Sequence, residues 1–436
     1  MKTNPVTLRD MILLGMYGED WQTFIDKYDE QFNAITIDGF EFAPVSLSYQ
    51  FQQMLTKIHA TVLPTYVDPD SEGYEMPLGS VEGKTGNIPT QKLFYSVNRN
   101  TVREQMQLAQ RFQHFALDDR MADVMFGLLD EGTNGLYQAF VNALNHQRHQ
   151  VVSKGQFTID ATNNPRGIKG VTISFNMPVA NHDVLTGEER WWTDADRKKE
   201  GKASDPLKYL KNRVKAIRRV LHYNGPLRME LSQDLWDDMI EHSKVQTKLA
   251  NHIYRNISSD AVRADLIQFD TDEIYKEAIR KMIKVDEIVI RETYAFVCKP
   301  GVDENGEPDL VEERIDNFDP DNIAFIPTGK LGDIQGVQPL SMGYDADKIA
   351  YAMSDRLLIE QEDVPRTHSI NVNGEMSQLC VPNAIRNMYI STVCGTGAKK
   401  STTTKTSDKT NTGTGTGTGS NTGGNSNDDE PGGSDH

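Results

Sequence analysis

LDDRMADVMFGLLDEGTNGLYQAFVNALNHQRHQVVSKGQFTIDATNNPRGIKG, residues 117–170, reads as one long amphipathic helix delivered straight into a β-hairpin. Asp118 and Asp119 suit a helix N-terminus, where carboxylates oppose the positive end of the backbone dipole. Met121, Val124, Met125, Leu128 and Leu129 recur at three- and four-residue spacing, the period of one buried helical face. Gly132-Thr133-Asn134-Gly135 is expected to interrupt or kink the helix. Leu136, Phe140, Val141, Leu144, Val151 and Val152 resume the period, with Asn142, Asn145, Gln147 and Arg148 on the opposite face. Lys154-Gly155 supplies a C-terminal cation and then a residue that tolerates left-handed backbone, which stops the helix. Residues 156–160 and 171–175 alternate polar and apolar, as strand, turn and strand do. This is an architectural signal without a catalytic pattern.

Upstream, Leu8, Ile12, Leu13 and Met16 form one short apolar face, and Trp21, Phe24, Ile25 and Tyr28 another, so residues 1–60 read as a helical, partly extended arm. Ile35-Thr36-Ile37 before Asp38-Gly39 suggests a strand end and a turn. Residues 63–100 carry Pro64, Pro69, Pro77 and Pro89 with Gly73, Gly79, Gly83 and Gly86, and few of their side chains are expected to reach a common core. A loop of that length inside a folded domain points to a function. The expectation is an extended hairpin lying on a neighbouring subunit.

Downstream, residues 181–205 are polar and charged and read as a solvated loop. Asp205-Pro206 opens a helix with proline in its first turn, and Leu207, Leu210, Val214, Ile217, Val220 and Leu221 follow with helical period. Gly225-Pro226 ends it, residues 227–231 alternate as a strand, and Ser232 caps a further helix bearing Leu235, Trp236, Met239 and Ile240. Residues 272–284 read as helix, and 287–291, 294–298, 321–327 and 388–393 as strands, an α+β succession. From Gly395 the chain is Thr, Gly, Ser, Asn, Lys and Asp, too poor in apolar residues to offset ordering entropy, and is expected to be disordered.

The chain has 436 residues, enough for two or three subdomains with a sizeable core, and a net charge of -17. A surface whose main task is to grip phosphates is basic, so whole-surface genome binding is not expected. Cys298, Cys380 and Cys394 fit neither a disulfide framework nor a four-ligand zinc site. A reducing place of folding, with Cys380 and Cys394 as buried strand residues, is the simple reading. No run approaches the roughly 20 apolar residues of a membrane span. The expectation is a soluble protein made in the cytoplasm.

Candidate sites are few. His146 and His149, three apart on the helix, together with His114 are the residues that a His-dependent metalloenzyme would use. No acidic partner on the helix completes that set, and an exposed polar face explains the histidines. Asp303-Glu304-Asn305-Gly306-Glu307-Pro308-Asp309 lacks the length and terminal glutamate of a calcium loop, and Asn305-Gly306 reads better as a hairpin turn. Residues 325–332, FIPTGKLG, lack phosphate-loop spacing. No nucleophile elbow orders the serines. The reading is not an enzyme, with no cofactor and no metal.

The order of elements resembles the lambda-type capsid protein E family, major capsid proteins of tailed bacteriophages. An arm precedes a Pro/Gly-rich loop, and a long helix closes on Val152-Ser153-Lys154-Gly155-Gln156-Phe157-Thr158-Ile159. Asp205-Pro206-Leu207, the segment from Pro226 to Trp236, residues 321–332, Pro382-Asn383 and the strand from Met388 to Val393 are similar to family segments in the same order. The likeness spans about residues 35–394; the longer arm and the Thr/Gly tail depart from it.

The resemblance implies the tailed-phage capsid fold, an α+β fold with an N-terminal arm (1–61), extended loop (62–101), spine helix (102–153), peripheral domain (154–225 and 360–394), axial domain (226–359) and the tail (395–436). It implies an icosahedral shell of hexamers and pentamers, assembled in the infected bacterium, that encloses double-stranded DNA without sequence-specific binding. A portal protein and scaffold or decoration proteins are the implied partners, and no membrane is. Tyr66, Tyr74, Met76, Leu78, Val81 and Ile88 become the intersubunit loop residues, and Leu128, Leu136, Phe140 and Leu144 the spine face. An encapsulin-like nanocompartment shell, the metalloenzyme and a tail or baseplate protein are the alternatives.

Overall fold

Leucine and valine at helical spacing hold one long helix, Leu117–Lys154, against sheet on more than one side. The computed structural model describes residues 34–56, 81–98, 103, 107, 117–194, 197–268, 270–302, 308–340, 348–353, 356–364 and 369–394. The arm through residue 33, most of the loop, the helix before Leu117 apart from residues 103 and 107, and the tail from 395 lie outside the described residues, and so do the expectations made for them. Leu136, Phe140, Leu144, Val151 and Val152 are buried as the period requires. The side chain of Leu128 is outside the description.

Gly132 and Gly135 neither interrupt nor kink the helix, which runs through both. Gly132 is there for space: a Cβ on it would sit 2.5 Å from the ring of Tyr95. Lys154-Gly155 ends the helix as expected, with Gly155 at φ +69° and its N–H donating to Val151 O at 2.9 Å. The hairpin follows, Gln156–Ile159 antiparallel to Val171–Ser174.

Two sheets organise the rest. In the five-stranded sheet the order is His182–Val184, Tyr389–Thr392, Asn322–Pro327, Leu227–Ser232 and Glu287–Arg291. Its middle strands are buried on both faces, so their alternation sends neighbouring residues into different cores. Ile323 and Phe325 pack with the helices Pro206–Arg219, Gln233–Glu241, Ser243–Ile253 and Asp272–Ile283, while Ala324 and Ile326 pack on the long-helix side. In the four-stranded sheet, all antiparallel, the order is Lys348–Met353, Leu357–Val364, Ser369–Met376 and Gln91–Asn98. Leu357, Ile359, Val372 and Val97 join the long-helix core. A small sheet of Phe40–Phe42, Gly332–Gly336 and Gln378–Val381 closes that core with Phe40, Ile334, Leu379 and Val381.

Local signals place the element ends. Asp205 accepts from Lys208 N at 3.1 Å with Pro206 in the first turn, and Ser232 Oγ accepts from Leu235 N at 3.2 Å. Gly39 takes φ +80° in the turn before Phe40.

Three expectations are corrected. The segment 181–205 is not a solvated loop: Leu185, Trp191, Trp192 and Arg197 are buried in or beside the second core. Residues 91–98, assigned to the extended loop, form an edge strand of the subunit's own four-stranded sheet, with Val97 buried. The expected division at 225/226 runs through one core, because Leu207, Leu210, Val214 and Ile217 pack with Met229, Leu231 and Trp236. By packing, one core gathers Leu136, Phe140, Leu144, Phe157 and Ile173 with Val97, Leu357, Val372, Ile334 and Met388, and the other gathers Trp191, Leu207, Met229, Trp236, Ile279, Phe325 and Tyr389.

Candidate functional site

The loop that the sequence assigns to a neighbour is rooted in this subunit by two antiparallel strands, Gln50–Thr56 and Val81–Asn87. Phe51 is buried against Phe175, with ring centroids 5.9 Å apart, and Gly86 leaves room for it: a Cβ there would come within 2.5 Å of the Phe51 ring. Gln335 holds Gln52 at both ends, Oε1 accepting from Gln52 N at 2.9 Å and Nε2 donating to Gln52 O at 2.6 Å. Buried Gln53 donates to Pro382 O at 2.6 Å, and Lys84 Nζ donates to Asn176 Oδ1 at 2.9 Å. Val81 opens the returning strand. Ile88, expected to touch a neighbour, is instead buried in the subunit's own core just beyond that strand, so it anchors the loop. Tyr66, Tyr74, Met76 and Leu78 lie outside the described residues.

A charged cluster joins the long helix to the five-stranded sheet. Arg148, read as part of an exposed polar face, is 1% exposed and forms a two-pronged pair with Glu230, at 2.7 and 2.8 Å. Arg291 reaches Glu230 at 2.8 and 3.2 Å, and Arg228 at 3.0 Å. Asp38, in the turn before Phe40, accepts from all three guanidinium groups. Burial pushes the Glu230 carboxyl up, but Arg148 and Arg291 override it and hold the group at about 2. Three cations against two carboxylates thus tie one helix, two strands and the N-terminal turn together.

The expectation of an exposed histidine face is likewise corrected. His146 and His149 are buried, His146 Nδ1 against Asn317 Oδ1 at 2.9 Å and His149 Nδ1 against Asn145 O at 2.6 Å. Burial, helped by Arg148, lowers His149 to about 4, and burial lowers His146. His114 lies outside the described residues, and among the described residues no group of three His, Cys, Asp or Glu side chains converges on a metal position. Cys380 and Cys394 are buried, with thiols pushed up to about 12 by burial, and Cys298 is exposed.

One arrangement escaped the sequence. Ser204 Oγ and His242 Nε2 are 2.7 Å apart, and Glu200 Oε2 lies 3.8 Å from His242 Nδ1. His242 Nδ1, however, accepts from Lys244 N at 3.3 Å and caps the helix Ser243–Ile253. A neutral ring that accepts at Nδ1 carries its proton on Nε2 and donates to Ser204 Oγ, the reverse of what a base activating a serine does. Glu200 is held by Ser243 N and Oγ at 2.7 and 2.6 Å. Ser204 and His242 form a buried helix cap, with the half-buried Glu200 at its edge. A second ion cluster, Arg197 with Asp238 and with Asp321 at 3.0 Å, joins the segment after Trp192 to the helix Gln233–Glu241 and to the residue that precedes the strand Asn322–Pro327.

A sequence model of the family described as phage major capsid protein E matches residues 56–393. The chain belongs to that family. It is a shell-forming capsid protein of mixed helix and sheet, the α+β class that the sequence implied. The capsid protein is also similar to a phage-related protein from Bordetella bronchiseptica, at 15% identity and TM-score 0.43, covering 86% of this chain and 98% of that one. It is similar to the satellite phage P4 procapsid including size determination (Sid) protein, at 11% identity and TM-score 0.41, covering 86% and 100%. A third likeness is to the capsid of the cyanophage P-SCSP1u, at 10% identity and TM-score 0.39, covering 82% and 88%. At these values the assignment rests on the family match. No curated protein matches the capsid protein. Among the described residues no helix is long and apolar enough to cross a membrane.

Proposed function

We propose that this capsid protein builds an icosahedral shell of hexamers and pentamers around double-stranded DNA, and that residues 57–80 reach from each subunit onto its neighbour. The family match over residues 56–393 carries the reading. The loop's role is supported by its root: Phe51, Gln52 and Gln53 on the outgoing strand and Ile88 just beyond the returning one are fixed to the subunit's own core and sheet. Tyr66, Tyr74, Met76 and Leu78 would then supply apolar contact area, with Val81 at the return and Ile88 as the anchor. Rings of such heterologous contacts close without a dedicated core. In this reading a portal protein and scaffold or decoration proteins complete the particle, assembly takes place in the cytoplasm of the infected bacterium, and the net charge of -17 keeps the inner wall from gripping phosphate tightly. Replacing residues 60–78 by a short Gly-Ser turn tests the loop. The expected product is a soluble subunit with unchanged thermal stability that forms no closed particles. Particles of normal size from the shortened chain would remove the loop from the interface.

A further inference from the structure

Two helices of the second core carry opposite charge. Pro206–Arg219 has six Lys or Arg and no Asp or Glu, and Gln233–Glu241 has four Asp or Glu and no Lys or Arg. Leu207, Leu210, Val214 and Ile217 bury one face of the first, and Leu235, Trp236 and Met239 bury one face of the second. The helix Ser243–Ile253 packs on both. Lys208, Lys211 and Lys215 are exposed, and so are Asp234, Asp237 and Glu241. Each trio is spaced by three and then four residues, so each forms one stripe about 10 Å long at the helical rise.

Among the described residues none of these six side chains has an ion pair, whereas Arg218 and Asp238, off the stripes, are paired with Asp286 and Arg197. The helix Asp272–Ile283 shows the ordinary alternative: it mixes both signs and pairs Glu273 with Lys276 and Glu277 with Arg280 along its own length. Burial, and then the charges of Asp272, Asp234 and Asp238, push the Asp237 carboxyl above its ordinary value, against the hydrogen bond that Gln233 Nε2 donates at 2.7 Å. Negative charge without a cation is thus gathered on one helix, and positive charge without a carboxylate on the other.

We propose that the basic stripe of one subunit docks on the acidic stripe of the next copy. The two helices lie side by side and parallel, so that the shared spacing sets Lys208, Lys211 and Lys215 against Asp234, Asp237 and Glu241. An antiparallel lie would put the stripes out of step. Opposite sign and matched spacing select a second copy of this chain as the occupant. The two surfaces differ, so the contact is heterologous and builds a ring when its rotation closes. Exposed pairs are individually weak and are screened by salt, so the contact sets orientation and encounter rate more than affinity. The proposal rests on copies meeting in a shell, but not on the role of residues 57–80.

Two measurements on the full chain test it. In the first, isotope-labelled and unlabelled wild-type protein are mixed, concentrated at low salt and treated with a carbodiimide, which joins an amine directly to a touching carboxylate. Mass spectrometry should find residues 208–215 of one copy linked to residues 234–241 of a differently labelled one. In the second, Lys211→Glu/Lys215→Glu and Asp237→Lys/Glu241→Lys change exposed positions, and circular dichroism checks that each variant stays folded. Each set alone should slow assembly, followed by light scattering, by about tenfold or more at low salt. The two sets combined in one chain should restore most of the rate. Mixed-label links in wild-type protein that forms no closed particle would uphold the contact and contradict the shell proposed above. The contact is overturned by the absence of mixed-label links, by wild-type rates from both single sets, or by no recovery in the combined chain. Shells that form at the normal rate but hold less DNA when only the lysines are reversed would also overturn it, and would assign the basic stripe to nucleic acid.

Discussion

Arg148 shows how far side-chain type and spacing reach. On the helix period it follows Leu144 by four residues and shares its buried face, where a guanidinium needs a partner, and that partner, Glu230, is 82 residues away. Helical periodicity places the residue on a face but not its partner, and no local pattern links positions so far apart. Because a buried pair is costly to break and cheaper to replace whole, Glu230→Leu should destabilise the subunit by about 3–5 kcal/mol. Arg148→Met with Glu230→Leu should cost less than Glu230→Leu alone, even though Arg291 and Arg228 lose the same partner. Denaturant unfolding of the three proteins decides it; a double variant weaker than the single would mean the cluster acts through its other members. The same residues set a pH response. His149, lowered to about 4 from an ordinary 6.5, contributes stability that is full above pH 6.5 and is lost as pH falls toward 4, by roughly 3 kcal/mol in all. Glu230, held at about 2, adds a second loss between about pH 4.5 and 2. Unfolding free energies that stay level between pH 7 and 4.5 would contradict the assignment, and His149→Gln should flatten the upper part of the curve.

Elements were legible wherever the chemistry was local. Asp205, Ser232 and Gly155 each marked a helix end through a cap or a left-handed residue, the alternation at 227–231 marked a strand, and the apolar runs at 287–291 and 321–327 marked two more. Gly132 misled because glycine weakens an isolated helix, while here the missing Cβ admits the Tyr95 ring from the four-stranded sheet. The segment 181–205 misled because Trp191 and Trp192 are surrounded by charges, one of which, Arg197, is itself buried in an ion pair. Gly132→Ala offers a test with a change of sign. In the wild-type protein the added methyl meets Tyr95 and should cost about 1–3 kcal/mol. In a Tyr95→Ala background it should instead stabilise by up to about 1 kcal/mol through helix propensity. Leu144→Asp, which places a charge at a fully buried site, should cost several kcal/mol in either background. Thermal melts showing Gly132→Ala stabilising in the wild type would dismiss the close approach.

At the scale of the whole molecule, the α+β class, the long helix entering a hairpin and the order of elements could be read before any coordinates. The division into bodies could not. Strand Asn322–Pro327 sends Ile323 and Phe325 to one core and Ala324 and Ile326 to the other, so a single strand belongs to both and no cut in the sequence separates them. The arginine cluster then fixes the two cores across that sheet, a sensible property for a subunit that must transmit contacts between neighbours on several sides. The central claim is that copies of this chain close into a shell. Electron microscopy of the purified full-length protein, concentrated at neutral pH, tests it most directly. Closed isometric particles of uniform diameter, with rings of six and five visible on their surface, are the predicted result. A preparation that stays monomeric at every concentration, or grows into open filaments or sheets without closing, would contradict it.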